Sequence, residues 1–152
     1  MFVLLVSTAS IAAPQSTLAK TAQVRLNEIS SPIISNSGVL DQSFFMQLST
    51  GNLPLKDLLI KLPQQQMGRF GSITIIDQSG KQQQAQIQTK GGQALITFAQ
   101  PVQPNSNLRI RWNGVNQQLF MGDTLNYSVS AGQIGLRERI MIGSARIQIP
   151  HS

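Results

Sequence analysis

Cysteine is absent from all 152 residues, which excludes disulfides, thiolate zinc sites, iron–sulfur clusters and thiol nucleophiles. Histidine occurs once, as His151, the second-last residue. Chain ends are usually poorly ordered, so His151 reads as a solvated end rather than a base or a metal ligand. The chain is thereby left without the commonest general base and the commonest metal ligand. Aromatic residues make up 5% of the chain, too few for the stacking platforms that single-stranded nucleic acid needs. Lysine and arginine are scattered singly, without the clustered footprint of a nucleic-acid binder. No apolar run reaches the ~20 residues that span a bilayer as a helix. No cofactor, no nucleic-acid partner and no transmembrane helix in the mature chain are expected.

What is present begins with charge. Twelve Lys+Arg stand against six Asp+Glu, a formal net charge of +6. Such an excess favours anionic partners, and it also serves solubility. Charged residues are only 12% of the chain, so Gln, Asn, Ser and Thr must cover much of the surface.

The first thirteen residues, MFVLLVSTASIAA, hold an apolar run from Phe2 to Val6 and then small residues. This fits the apolar region of a secretory signal peptide. Thr17 and Ala19 are small and two apart, which favours cleavage after Ala19 over Ala12 or Ala13 beside Pro14. No basic residue precedes Lys20, so either the true start lies upstream of Met1 or the signal is atypical. The competing reading makes Phe2–Ile11 a buried first strand. The expected organisation is a signal peptide over 1–19, an N-terminal arm over 20–40, and a sandwich domain over 41–150. The arm is Ser/Asn-rich, with one edge strand expected around Val24–Ile29 or Ile33–Ile34.

Beyond the arm, apolar residues alternate with polar ones in many short segments, the period of a half-buried strand. Phe44, Met46 and Leu48 share one parity, as do Leu58, Ile60 and Leu62. Ile73 pairs in this way with Ile75, Ala85 with Ile87, and Ala94 with Ile96 and Phe98. Leu108, Ile110 and Trp112 face one way and Arg109 and Arg111 the other. Leu125, Tyr127, Val129 and Ala131 oppose a Thr/Asn/Ser face. In the last segment Ile140 and Ile142 are out of step with Ile147 and Ile149. One extra residue near Gly143–Ser144, a β-bulge, restores a common face. Asp77–Gly80 and Lys90–Gln93 read as hairpin connections. Leu53–Leu59 admits a helical turn. The pattern predicts an all-β, immunoglobulin-like two-sheet β-sandwich of about seven or eight strands.

Chemistry is sparse. No Gly-x-Ser-x-Gly elbow occurs, and a serine hydrolase would lack its histidine base. The six acids, Glu28, Asp41, Asp57, Asp77, Asp123 and Glu138, all fall at expected strand ends or loops, where acids are usually solvated. A carboxylate-based hydrolase would require two of them to converge on a cleft. Gly68-Arg-Phe-Gly71 is too short for a phosphate loop. Two basic pairs remain. Arg109 and Arg111 project from one strand face roughly 7 Å apart. Arg137 and Arg139 flank Glu138 at the start of the last strand. They read either as an anion-binding strip or as solvated surface. Trp112 and Tyr127 lie on apolar faces and read as core.

The C-terminal half carries Ala94-Leu-Ile-Thr-Phe-Ala-Gln-Pro-Val-Gln-Pro104, then the strand Leu108–Trp112, the segment Tyr127-Ser-Val-Ser, and the closing Ile142-Gly-Ser-Ala-Arg-Ile-Gln-Ile149. This order resembles a cyanobacterial family of exported proteins known as domain of unknown function 2808 (DUF2808). The resemblance runs from Phe44 to Ile149 and is strongest after Ala94. Pro101, Pro104, Tyr127, Gly143, Ala145 and Arg146 match the family's motif positions, and Asn105 stands where the family carries glycine. The resemblance implies a signal peptide, a β-sandwich and a location in the periplasm, the cell envelope or the thylakoid lumen. It implies no catalytic residues.

These readings converge on an exported cell-envelope protein that is not an enzyme. It would bind or pack against an envelope protein or an anionic surface polymer. Sheet-edge pairing through the terminal strands is one route, and an anion-binding module for acidic polysaccharide or lipid is the alternative.

Overall fold

The computed structural model describes residues 30–151. The leader and the alternative strand at Val24–Ile29 lie outside the described residues. Among the described residues nine strands form two antiparallel sheets. The first sheet holds β1 (Ile33–Leu40), β2 (Ser43–Ser49), β7 (Asn107–Asn113) and β4 (Ser72–Asp77), in that spatial order. The second holds β5 (Ala85–Lys90), β6 (Gln93–Val102), β3 (Leu55–Lys61), β8 (Thr124–Gln133) and β9 (Ile140–Gln148). The protein is a two-sheet β-sandwich, with nine strands where seven or eight were expected.

The alternating pattern sorts side chains as anticipated. Phe44, Met46, Leu48, Leu58, Ile60, Leu108, Ile110, Trp112, Leu125, Tyr127 and Val129 are buried between the sheets. Ile73, Ala85 and Ile87, on outer strands, are partly buried against that core. A period of two places every second residue on one face, so one correct parity fills a whole layer.

The extra residue in the last strand is Ile142. The β8–β9 register runs Val129↔Gly143 and then Ser130↔Met141, leaving Ile142 unopposed. Gly143 takes a φ of 133°, which a side chain would resist, and beyond it Ala145 and Ile147 turn inward. The β5–β6 hairpin turns through Gly91 and Gly92, with φ of 61° and 75°. A two-residue turn of the tight primed type needs φ above zero at both positions, and glycine supplies it.

Three expectations change. The arm's last eight residues are β1, an edge strand paired with β2, so the sandwich begins before residue 41. Asp77–Gly80 does turn the chain back, with Asp77 N–H donating to Lys81 O over 2.9 Å. However, β4 and β5 do not pair. Residues 82–84 instead cross between sheets, since Gln83 N–H donates to Ile75 O (2.8 Å) and Ala99 N–H to Gln84 O (2.9 Å). Leu55–Lys61 is strand throughout, and the short helical turns fall at Gln64–Gln66 and Gln117–Phe120. Both are single 3-10 turns, too short to show a helical period.

The terminal strands lie side by side. Ser37 Oγ, on β1, donates to Arg146 O, on β9, over 2.7 Å. Ile34 is the nearest neighbour of the bare face of Gly143. The edges expected to recruit a partner strand therefore cover one another.

Candidate functional site

β7 occupies an interior position of the four-stranded sheet and sends Leu108, Ile110 and Trp112 into the core. Arg109 and Arg111 must then stand on the outer face. The register sets Gln47 and Ile76 on either side of Arg109, and Phe45 and Thr74 on either side of Arg111. The Arg109 guanidinium lies 5.4 Å from the centre of the Phe45 ring, within cation–π range. The Phe45 ring in turn lies across Gly38 of β1, where a methyl group would come within 3.3 Å of it. With its amide oxygen turned toward Arg109, Gln47 accepts from Nη2 at 2.8 Å and from Nε at 3.3 Å. Arg111 Nη2 donates to Ser43 Oγ over 2.8 Å, while its buried Nε has no partner.

Both arginines are half-buried, fixed at the stem, and without a carboxylate partner among the described residues. Each borders an open hollow. Arg109 lines one of about 550 Å3 with Gln47, Asn107, Ile76, Asp77 and Gln78. Arg111 lines another of about 560 Å3 with Asp41, Ser43 and Asn113. Asp77 is occupied locally, with Oδ1 accepting from Ser79 Oγ (2.6 Å), Ser79 N–H and Lys81 N–H. Its Oδ2 accepts from Gln83 Nε2 at 2.9 Å. These bonds, led by that from the Ser79 hydroxyl, hold the Asp77 carboxyl below its ordinary value.

The second basic pair stands elsewhere. Arg137 and Arg139 lie in the β8–β9 connection of the five-stranded sheet. Arg139 binds Asp57 Oδ1 through Nε and Nη2, both at 3.0 Å. The four arginines do not form one strip. Asp57 also departs from expectation. It sits within β3, is only 7% exposed, and faces Gly132 across the β3–β8 register. A side chain at Gly132 would put its Cβ 2.6 Å from Asp57 Oδ1, so glycine there makes room for the carboxylate.

Glu28 lies outside the described residues, and the other five acids divide between the two ends of the sandwich. Asp41 and Asp123 are at one end, and Asp57, Asp77 and Glu138 are at the other. Asp57 and Glu138 share a shallow cleft with Arg137 and Arg139. Among the described residues no three of His, Cys, Asp and Glu gather closely enough to hold a metal ion. His151 is exposed, with its ring against Gly122.

Pro101, Pro104, Tyr127, Gly143, Ala145 and Arg146 lie in or beside strands of the sandwich. Pro101 is exposed near the end of β6, and Pro104 precedes Asn105, whose φ of 57° is one that Asn and Gly accept most readily. Tyr127 is fully buried, 4.8 Å from Trp112 between ring centres, and its hydroxyl donates to Gln66 Oε1. Burial pushes the Tyr127 hydroxyl pKa up, and the bond to Gln66 opposes this only weakly. Ala145 is buried and Arg146 exposed.

Sequence reasoning missed Phe45, Gln47 and the Asp57–Gly132–Arg139 cluster. Phe45 had the right parity, opposite Phe44, but only strand pairing shows that β2 lies beside β7. Asp57 carried no such signal, because one bulged residue, Lys56, shifts its register against β8.

No protein-family model and no curated protein matches the chain. Several solved structures are similar to it at low identity. A DUF4466 family protein from Parabacteroides merdae is 14% identical over 78% of this chain, with a TM-score of 0.40. This chain spans 45% of that protein's length. The human F-spondin reeler domain is 10% identical over 78% of this chain and 87% of its own, with a TM-score of 0.47. The collagen-binding subdomain ACE19 of the Enterococcus faecalis surface protein ACE is 9% identical over 80% of this chain and 99% of its own, also at 0.47. Among the described residues no helix is long and apolar enough to cross a membrane.

Proposed function

We infer that this protein is an exported, non-catalytic binding module whose outer four-stranded face holds an acidic polymer through Arg109 and Arg111. One observation carries the reading. The outward positions of β1, β2, β7 and β4 contain two arginines and no carboxylate, surrounded by Phe45 and a set of amide and hydroxyl side chains. Unpaired guanidinium groups in a row match carboxylate or sulfate groups repeated along a chain. Phe45 and the amides suit the sugar rings between them. Arg137 and Arg139 are left out of the site, because Arg139 is already paired with Asp57.

Export is supported by the apolar run Phe2–Val6, the small residues before Lys20, and the resemblance of Phe44–Ile149 to an exported family. A mature protein beginning at Lys20 in the envelope fraction is the expected outcome of fractionation with N-terminal sequencing. Met1 intact in the cytoplasm would refute it.

The binding test uses immobilised alginate, a polyuronate. Retention is expected at low salt and should fall steeply once ionic strength shortens the screening length below ~10 Å. The Arg109→Ala/Arg111→Ala pair should lose retention, and Arg137→Ala should keep it. Equal retention of the parent and the double variant, at unchanged melting temperature, would sink the proposal.

A further inference from the structure

The end of the sandwich that carries the β1–β2, β3–β4, β5–β6 and β7–β8 connections has a character of its own. It bears four of the seven large apolar side chains that are exposed among the described residues: Leu40, Met67, Leu119 and Met121. These are not loose tips. Val115 N–H donates to Gln42 O, Gly71 N–H to Asn113 O over 2.7 Å, and Leu62 N–H to Gly92 O over 2.8 Å. Those bonds tie all four connections into one platform. Met67 is seated directly over the β5–β6 turn, where a Cβ on Gly92 would come within 2.5 Å of its terminal methyl.

Three cationic residues belong to the same corner as Met67, with Lys61 and Lys90 both opposite Gln93 in the strand register. Lys61 ends β3, Arg69 follows the first 3-10 turn, and Lys90 ends β5, and all three are exposed. None is bound in an ion pair among the described residues. The two acids at this end, Asp41 and Asp123, lie toward the β1/β9 side, away from β5. The platform therefore has a cationic corner with an apolar tip.

We propose that this end docks onto an anionic lipid surface, with the β3–β4 and β5–β6 corner leading. Met67, Leu119 and Met121 enter the headgroup layer, and Lys61, Arg69 and Lys90 meet the phosphates. One apolar tip flanked by bases, with further separate apolar side chains at the same end, fits a lipid interface, which accepts separate protrusions and is itself negative. A second copy of the chain fits poorly, because face-to-face contact would set Lys61, Arg69 and Lys90 against their own kind. This surface is distinct from the outer sheet face of β7, which stays free beside the docked end.

The absence of cysteine permits single-site labelling. Leu119→Cys and Met141→Cys, each in the full chain, are coupled to an environment-sensitive fluorophore. Met141 is exposed at the opposite end of the sandwich and serves as the control. Vesicles are phosphatidylcholine alone or phosphatidylcholine mixed with phosphatidylglycerol. The Leu119 probe should shift to an apolar environment only with phosphatidylglycerol present, and the Met141 probe should report water throughout. Lys61→Gln/Arg69→Gln/Lys90→Gln should weaken vesicle binding by about a hundredfold. Lys81→Gln, at the opposite end of the sandwich, should leave it unchanged. Neither probe shifting, or both shifting together, overturns the proposal. Loss of vesicle binding in the Arg109/Arg111 pair, with the triple variant unaffected, overturns it by moving the lipid site to the sheet face.

Discussion

Replacing Gly132 with alanine should destabilise the protein, and replacing Asp57 first should reverse the sign. At Gly132 the φ lies outside the left-handed region, so alanine suits the backbone. On that ground alone Gly132→Ala should stabilise by about 0.4–1 kcal/mol, through a less flexible unfolded chain. The obstacle is Asp57. The new Cβ would sit 2.6 Å from Oδ1, 2.8 Å from Oδ2 and 2.9 Å from Cγ. Asp57 must turn away, and its oxygen then leaves both Arg139 Nε and Nη2. The ion pair contributes little by itself, because the Arg139 side chain is 36% exposed and screened by water. The larger cost is a carboxylate, with 11% of its side chain exposed, held without its donors, together with the crowding. Those effects cost about 1–3 kcal/mol each when fully felt, and partial relaxation leaves a net loss of about 2 kcal/mol. In the Asp57→Ala background the three obstructing atoms are gone, and Gly132→Ala should stabilise by about 0.5 kcal/mol. Urea unfolding of the four proteins in a double-mutant cycle measures this. A coupling of about 2–2.5 kcal/mol is expected, and the Gly132→Ala midpoint should fall by about 1 M. Changes that add to within about 0.5 kcal/mol would refute the account, because the two sites would then not meet.

Acidification should loosen the β4–β5 crossing early. The Asp77 carboxyl is held below its ordinary value of 3.8, so its contribution is present above that pH and is lost as pH falls further through the lowered folded value. Amide exchange at Ser79 and Lys81 should quicken in that range in the parent and be fast at all pH values in Asp77→Ala. At the alkaline end Tyr127, the single tyrosine, is held neutral by burial, so stability is complete below its ordinary value of 10.0 and declines as pH rises above it. Tyrosinate absorbance should therefore emerge together with loss of the fold, and ionisation of a still-folded protein at pH 10 would contradict the burial. Tyr127→Phe would strand the buried Gln66 oxygen and should cost about 1–3 kcal/mol in urea unfolding.

Much of the sandwich could be read from alternation. Leu108-Arg-Ile-Arg-Trp112 announces its own inner and outer faces, because neighbouring side chains in a strand must point opposite ways. The broken rhythm of Ile140–Ile149 announced its bulge in the same way. Pairing was beyond reach. Asp77–Gly80 looks like a hairpin because the turn chemistry is local, yet whether β4 and β5 share a sheet depends on where residues 82–84 go. The candidate site divides along the same line. Arg109 and Arg111 were visible as a pair on one strand, while Phe45 and Gln47 arrive from a strand some sixty residues earlier in the chain.

By itself the sequence determined the all-β class, the parity of each strand, the absence of cysteine, and the outward setting of Arg109 and Arg111. These follow from composition and a two-residue period, which act within a few bonds. The tertiary structure decided which strands are neighbours, that β1 and β9 cover each other, that Arg139 is consumed by Asp57, and that Met67, Leu119 and Met121 share one end. Those outcomes depend on contacts between distant segments, and such contacts are set by the packing of two sheets around one core.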